Sequence, residues 1–117
     1  MHNFRKLHVW HRCHALTLEV YRQTRSLPPE ERYGLAAQMR RAAVSIESNI
    51  AEGAGRSTGA DFARFLSLAT GSASELSCHV RIASDLGYLP EITSSECEEE
   101  LGEIVKMLEA LRRRLGN

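Results

Sequence analysis

The sequence predicts an all-α protein, folded as an antiparallel up-down-up-down four-helix bundle. Apolar residues recur at three- and four-residue steps in four separate stretches, which is the spacing that lines one face of a helix. Proline or glycine lies between the stretches, and the connections are short, as in antiparallel bundles. At 117 residues, the chain is expected to form one domain, residues 1–117. The helices are predicted near residues 9–26, 29–54, 58–86 and 94–115.

The first helix is predicted from an apolar stripe that runs from Val9 to Val20. Pro28 and Pro29 disfavour helical geometry in the residues before them, so this helix is expected to end near Ser26. Proline is well suited to the first turn of a helix, and the second helix is therefore predicted from residue 29.

The second helix has an apolar stripe from Leu35 to Ile50 and a separate, equally regular polar stripe. A helix with two patterned faces is expected to pack on both, the second against other helices or another subunit. The polar stripe contributes three interface candidates: Arg41, Ser45 and Asn49. Gly53 and Gly55 suit the left-handed conformation that ends many helices.

The third helix begins after a capping Ser57 or Thr58 and has a nearly strict heptad seam of apolar residues. Beside that seam lies a small-residue stripe, which consists of Ser67, Gly71, Ser74 and Cys78. Gly71 in a helix interior costs about 1 kcal/mol relative to alanine. Close approach of another helix would offset this cost, so the stripe predicts a tight interhelical or intersubunit contact.

The fourth helix is expected to follow a turn that contains Gly87 and Pro90. Thr93 and Glu96 match a capping box, which predicts that the helix begins near residue 94. An apolar heptad seam then continues to Leu115.

The ionisable residues do not indicate an enzyme, a metal site or a cofactor site. His8, His11 and His14 are three residues apart, so their rings drift around the helix and converge poorly on one ion. Glu75 lacks an accompanying acid or nucleophile, and structural pairing with Arg40 or Arg41 is favoured over catalysis.

The three cysteines, Cys13, Cys78 and Cys97, have no CxxC spacing and are interpreted as reduced thiols of a cytoplasmic protein. No export signal or long apolar run is present in the sequence, so no membrane association is expected.

The charges balance in number but not in position. Residues 1–57 hold nine Lys and Arg against five Asp and Glu, whereas residues 58–117 hold six against ten. An up-down-up-down bundle collects a basic end, to which a nucleic acid or an acidic protein surface would be attracted. The candidate nucleic-acid-binding residues at this basic end are Arg5, Lys6, Arg56, Arg64, Arg112, Arg113 and Arg114. The opposite end is predicted to be acidic, partly offset by Arg22, Arg25 and Arg32.

Several segments resemble the bacterial four-helix-bundle family named after 23S rRNA intervening sequences. They are FRKLHVW, QMRRAAVSIESNIAEGAGR, FARFLSLATGSASEL and LGYL, which together span nearly the whole chain. Relatives typically have proline after the Ser-Ile of the second helix, where this chain has Glu47.

The resemblance implies antiparallel four-helix protomers that assemble into ring-shaped homopentamers. The family is also similar to the accessory proteins of diversity-generating retroelements, whose basic pentameric barrels bind nucleic acid and a partner reverse transcriptase. Those accessory proteins tend to be markedly basic, whereas this chain has a net charge of zero.

Two functions follow from these observations. The first is a non-enzymatic module that binds RNA or DNA, or assists a reverse transcriptase, through its basic end. The second is a structural or protein-interaction scaffold that does not bind nucleic acid.

Overall fold

The computed structural model describes residues 1–116, all of them helical or in turns and loops, with no strand in that range. Two short 3-10 turns, Phe4–Lys6 and Pro29–Glu31, accompany four α-helices. The helices are α1 (His8–Thr24), α2 (Leu35–Ala54), α3 (Gly59–Asp85) and α4 (Glu91–Arg114). Each helix packs against the next one along the chain, and α1 also contacts α4. The predicted all-α class with four helices is therefore confirmed.

One apolar core runs through the four helices. The predicted stripes all contribute to it, and their central residues have no more than 1% of their surface exposed. These central residues include Cys13, Ile46, Leu66, Leu76, Ile104 and Leu108. Burial of such side chains supplies most of the free energy that holds helices of this length together.

The start of α2 differs from the prediction. Residues 29–31 form a separate 3-10 turn, and Gly34 has non-helical angles (φ −106°, ψ −109°), so the α-helix begins at Leu35. The Glu31 carboxylate accepts a hydrogen bond from the Leu35 amide (3.1 Å) and lies 3.5 Å from the Tyr88 hydroxyl. Glu31 therefore caps α2 from outside and ties it to the α3–α4 turn.

The start of α4 also differs, because the predicted capping box is wrong. Pro90 precedes the first helical residue, Glu91, and Thr93 lies inside the first turn. Proline's restricted φ suits this entry position, which removes the need for a threonine cap. Two predictions for the ends of α3 are confirmed. Of the two candidate caps at its start, Thr58 accepts a hydrogen bond from the Asp61 amide, and Gly87, the glycine expected to end the helix, has φ +76°.

The predicted left-handed cap at the end of α2 is wrong, since Gly55 has φ −82°. Gly53 has a packing role instead. A Cβ atom at position 53 would lie 2.6 Å from the Phe65 Cβ and 3.0 Å from the Phe62 Cδ1. Such distances are shorter than carbon atoms tolerate, so Gly53 permits α2 and α3 to approach each other closely.

Candidate interaction surfaces

The segment before α1 is held against the bundle by several contacts. The Asn3 side chain accepts a hydrogen bond from the Arg5 amide (3.1 Å), and the His2 amide donates to the Ala54 carbonyl at the end of α2 (2.7 Å). The Phe4 and Trp10 rings meet edge to face with centroids 4.9 Å apart. These contacts place Arg5 and Lys6 where α1 begins and α2 ends.

The last turns of α4 reach the same end of the molecule. A cavity of about 190 Å³ lies between the start of α1 and the end of α4, with Leu7, Met107 and Leu111 among its apolar walls. His8 and Arg114 also line it, and no carboxylate of the described residues does. Arg114 therefore lies close to the N-terminal segment that carries Arg5 and Lys6.

Three of the seven predicted nucleic-acid-binding residues are engaged in ion pairs. Arg56 lies 2.8 Å from Glu52, Arg64 lies 3.0 Å from Asp61, and Arg112 lies 2.6 Å from Glu109. Exposed pairs of this kind neutralise charge locally while adding little stability.

The other four, which we call the free cations, are exposed and have no carboxylate within 4 Å in residues 1–116. They are Arg5, Lys6, Arg113 and Arg114. Their charges are therefore available to a ligand, whereas the charges of Arg56, Arg64 and Arg112 are partly neutralised by their ion-pair partners.

Arg56 and Arg64 also pack against an aromatic ring, a contact that the sequence pattern did not reveal. Their guanidinium carbons lie 4.7 Å and 4.5 Å from the centroid of the buried Phe65 ring. Arginine packs well over aromatic faces, so both side chains cover the α2–α3 contact near Gly53.

Arg12, a further cation in the first half of α1, joins two helices. Its guanidinium forms two hydrogen bonds with the Glu100 carboxylate of α4, one of them 2.9 Å long from Nε. Both side chains are about one-third exposed, and the paired geometry fits a guanidinium fork. Arg12 is thus a link between α1 and α4 and contributes little free charge.

All four members of the small-residue stripe are exposed on α3. Apart from the backbone of α3 itself, no atom of residues 1–116 lies within 4 Å of a Cβ built at Gly71, so no other helix of the protomer approaches it. Three large apolar side chains are also exposed on α3 or directly after it: Leu68 (47%), Ile82 (42%) and Leu86 (56%). The outer side of α3 is therefore an unpartnered surface with a small-residue centre and apolar flanks.

Part of the polar stripe of α2 forms hydrogen bonds within the protomer. The Ser45 and Ser72 hydroxyls are 2.8 Å apart, and the Asn49 amide donates to the Ser45 carbonyl (2.9 Å). Ser45 and Asn49 are half-buried, whereas Arg41 is exposed. Of the three predicted α2 interface residues, Arg41 is the most accessible to another subunit.

The predicted pairing of Glu75 with Arg40 or Arg41 is wrong. Glu75 is exposed and has no ion pair among the described residues, because it lies on the outer side of α3. Arg40 donates from Nε to the Thr24 hydroxyl instead (2.8 Å).

His79 was missed by the sequence reasoning. Its side chain is only 8% exposed, and Nδ1 is buried without a hydrogen-bond partner in residues 1–116. A histidine next to an apolar seam gives no periodic signal of its own, so only packing reveals it.

His8, His11 and His14 were predicted to converge poorly on a metal ion, and the contacts of His11 and His14 point to different partners. His14 Nδ1 lies 3.0 Å from a Glu47 carboxylate oxygen, and the His14 ring stacks on Trp10 with centroids 5.0 Å apart. His11 Nε2 is 2.7 Å from the Arg5 carbonyl. Among the described residues, no group of three metal-ligating side chains is close enough to share an ion.

The fold and these surfaces define a small helical protein with a basic end and an unpartnered apolar helix face, and none of its described helices could span a membrane. Residues 5–110 match the family described as 23S rRNA-intervening sequence protein, and the chain belongs to that family.

The fold is also that of a crystallised protein of unknown function from the S23 ribosomal protein family of Bacteroides thetaiotaomicron. The two chains superpose with a TM-score of 0.83 at 20% identity, over 90% of this chain and 98% of the other. A comparison with curated protein sequences found no match.

Proposed function

We propose that this chain is a non-enzymatic nucleic-acid-binding protein that acts through its basic end. In this proposal the helices run up, down, up and down, and cytoplasmic protomers assemble into a homopentameric ring that can serve as an accessory module for a reverse transcriptase. RNA and DNA are both candidate ligands. The observation that carries the proposal is the exposure of the four free cations on the segment before α1 and the last turn of α4, two stretches that meet at a cavity lined by Leu7, His8 and Arg114 and by no carboxylate of the described residues.

The expected contacts are mainly with phosphates. Lysine and arginine that are not neutralised by a carboxylate release counterions when they meet a nucleic-acid backbone, which makes binding weakly sequence-specific and steeply salt-dependent. One protomer offers few such cations. A ring would repeat the cluster in each subunit and raise the avidity without any new kind of contact.

We expect Lys6→Gln/Arg113→Gln/Arg114→Gln to weaken binding of labelled single-stranded RNA by roughly tenfold or more at low salt. The salt slope should also fall by about one for each phosphate that the variant no longer neutralises. The measurement is a fluorescence-anisotropy titration at two salt concentrations, repeated with single- and double-stranded DNA.

The matched control is Arg22→Gln/Arg81→Gln/Lys106→Gln, which removes the same charge from exposed cations that already have ion-pair partners. This control should bind nearly as tightly as the wild type. Equal losses in both triple variants would show a general charge effect and contradict the proposed site, as would the absence of any binding at low salt.

The alternative function, a structural or protein-interaction scaffold, is favoured by the outer side of α3. Exposed Leu68, Ile82 and Leu86 flank a stripe of small residues, and an apolar face of this kind on a helix is typical of a protein contact. Closed rings use two different faces of each subunit, so this surface would meet a dissimilar one. Assembly through α3 is compatible with either function.

We expect Gly71→Leu to separate the assembly into protomers while the helical content is retained, because a side chain at position 71 starts into open space in the described protomer but would block close approach by another subunit. Sedimentation velocity and circular dichroism provide the two readouts. Glu99→Leu, at an exposed position of α4 that shares no cavity with the stripe, is the control and should remain assembled. A wild-type protein that sediments as a monomer at micromolar concentration would disprove the ring.

A further inference from the structure

A second cavity without carboxylates lies at the opposite end of α1, about 25 Å from the free cations for a helix of 17 residues. Its volume is about 240 Å³. We call it the arginine pocket, and its lining includes Arg25, Arg32, Arg40, Leu27, Pro28 and Ala36.

Three elements bring the arginines to this cavity. Arg25 follows the last residue of α1, Arg32 follows the Pro29–Glu31 turn, and Arg40 lies in the second turn of α2. The prolines restrict the backbone between α1 and α2, because each fixes its own φ. The arginines are thus presented by a short, stiff connection together with two helices.

Arg40 is preorganised. Its Nε donates to the hydroxyl of Thr24, which is 3% exposed, and its guanidinium carbon lies 4.9 Å from the centroid of the Tyr21 ring. Neither terminal nitrogen of Arg40 has an acceptor in residues 1–116. A guanidinium held on one edge leaves its other donors in a fixed direction, which suits binding of an oxyanion.

The pocket's positive charge is not balanced by the protein. No carboxylate lies within 4 Å of Arg25, Arg32 or Arg40 in the described chain. Glu30 and Glu31 are the acids nearest to Arg32 in sequence, and neither lines the cavity. The Glu31 carboxylate contacts the Leu35 amide and the Tyr88 hydroxyl instead. Three like charges around so small a space repel one another, and a bound anion would relieve that repulsion.

We propose that the arginine pocket binds the phosphate group of a small phosphate monoester. Three arginine side chains line the cavity, and their charge matches a phosphate dianion, with its three strong acceptor oxygens, better than a single carboxylate. The cavity is smaller than the roughly 300–1,000 Å³ that encloses a drug-sized ligand, so it accommodates a head group with a small carbon portion. Leu27, Pro28 and Ala36 provide the apolar wall for that portion.

The first test is isothermal titration calorimetry with phenyl phosphate and with inorganic phosphate at pH 7.5. Phenyl phosphate is expected to bind more tightly, because its ring can contact the apolar wall. Arg25→Gln/Arg32→Gln should weaken its binding roughly 100-fold, since each charge-assisted hydrogen bond that is removed accounts for about a factor of ten or more.

The control Arg22→Gln/Arg81→Gln removes the same charge outside the pocket, from arginines that are already paired with acids, and should bind as the wild type does. No measurable binding by the wild type, or equal weakening in both double variants, would overturn the proposed site. Inorganic phosphate that binds as tightly as phenyl phosphate, or more tightly, would overturn the assignment to a monoester.

The second test is pH. As the pH falls through about 6, a phosphate monoester takes up a proton and loses its second negative charge. Arginine stays charged over this range, and no histidine lines the pocket. Affinity for phenyl phosphate is therefore expected to fall roughly fourfold between pH 7.5 and 5.5 as the dianion is protonated. Sulfate, which keeps its charge over this range, should bind with little change. A phenyl phosphate profile as flat as that of sulfate would overturn recognition of the dianion.

The arginine pocket and the nucleic-acid proposal are independent, because they lie at different ends of the molecule. Lys6→Gln/Arg113→Gln/Arg114→Gln should bind phenyl phosphate like the wild type. Loss of phenyl phosphate binding in that folded triple variant would place the anion site at the basic end and overturn the arginine pocket.

Discussion

Replacing Gly53 with alanine is expected to destabilise the fold by about 1–3 kcal/mol, the range for overpacking a tightly packed contact. The added methyl group would lie 2.6 Å from the Phe65 Cβ and 3.3 Å from the Phe62 carbonyl oxygen. Neither atom is the end of a flexible side chain, so α2 and α3 must move apart to admit it. That movement would also disturb Phe65, which Arg56 and Arg64 cover.

The measurement is urea unfolding of the wild type, Gly53→Ala and Gly102→Ala. Gly102 lies in the interior of α4, and no atom of another described element lies within 4 Å of a built Cβ, so alanine there should stabilise the protein by roughly 0.5–1 kcal/mol. Opposite signs for the two glycine-to-alanine changes are the expected result. Stabilisation by Gly53→Ala would show that the contact is looser than the structure indicates.

The second prediction concerns the three thiols. In separated, folded protomers, produced by Gly71→Leu, Cys78 is expected to react with a thiol reagent at pH 8 at least 100 times faster than Cys13 or Cys97. Cys78 is exposed, whereas Cys13 is buried and Cys97 is half-buried between α1 and α4. If α3 forms the subunit contact, Cys78 of the wild-type assembly should be protected as well.

The pKa values provide the physical reason. Burial, with a smaller contribution from Glu47, raises the pKa of Cys13 to about 12, and burial raises that of Cys97 to about 11. The thiolate is the reactive form, so at pH 8 about 0.1% or less of Cys13 or of Cys97 is available for reaction. Raising the pH toward 11 should therefore accelerate modification of Cys97 before that of Cys13.

Mass spectrometry of the labelled chain identifies which cysteine has reacted. Cys78→Ser in the Gly71→Leu background should leave no rapidly reacting thiol, and unfolding in urea should make all remaining thiols reactive. Rapid modification of Cys13 in the folded protomer would contradict the packing of α1. Rapid modification of Cys78 in an intact wild-type assembly would place the subunit contact on a surface other than α3.

The candidate surfaces were only partly predictable. Sequence position indicated which cations gather at one end, and the four-residue spacing of Glu52 and Arg56 permits a local ion pair, but nothing in the sequence indicated that Arg12 would reach Glu100 on a distant helix. Ion pairs between different helices depend on the rotation of each helix about its axis. The same dependence explains why Glu75 was wrongly paired and why the arginine pocket emerged at the end predicted to be acidic.

The amino-acid sequence by itself determined the four helices, their apolar faces and two of their caps, because these depend on contacts within a few residues. Thr58 and Gly87 are examples, since each acts on its own turn of the backbone. Tertiary structure decided which glycine admits a neighbouring helix, which arginines keep their charge free, and where cavities form. Gly53 and Gly71 are both glycines within predicted helices. A Cβ at position 53 would meet Phe65, whereas one at position 71 would meet no other helix of the described protomer, because only packing sets the distance between helices.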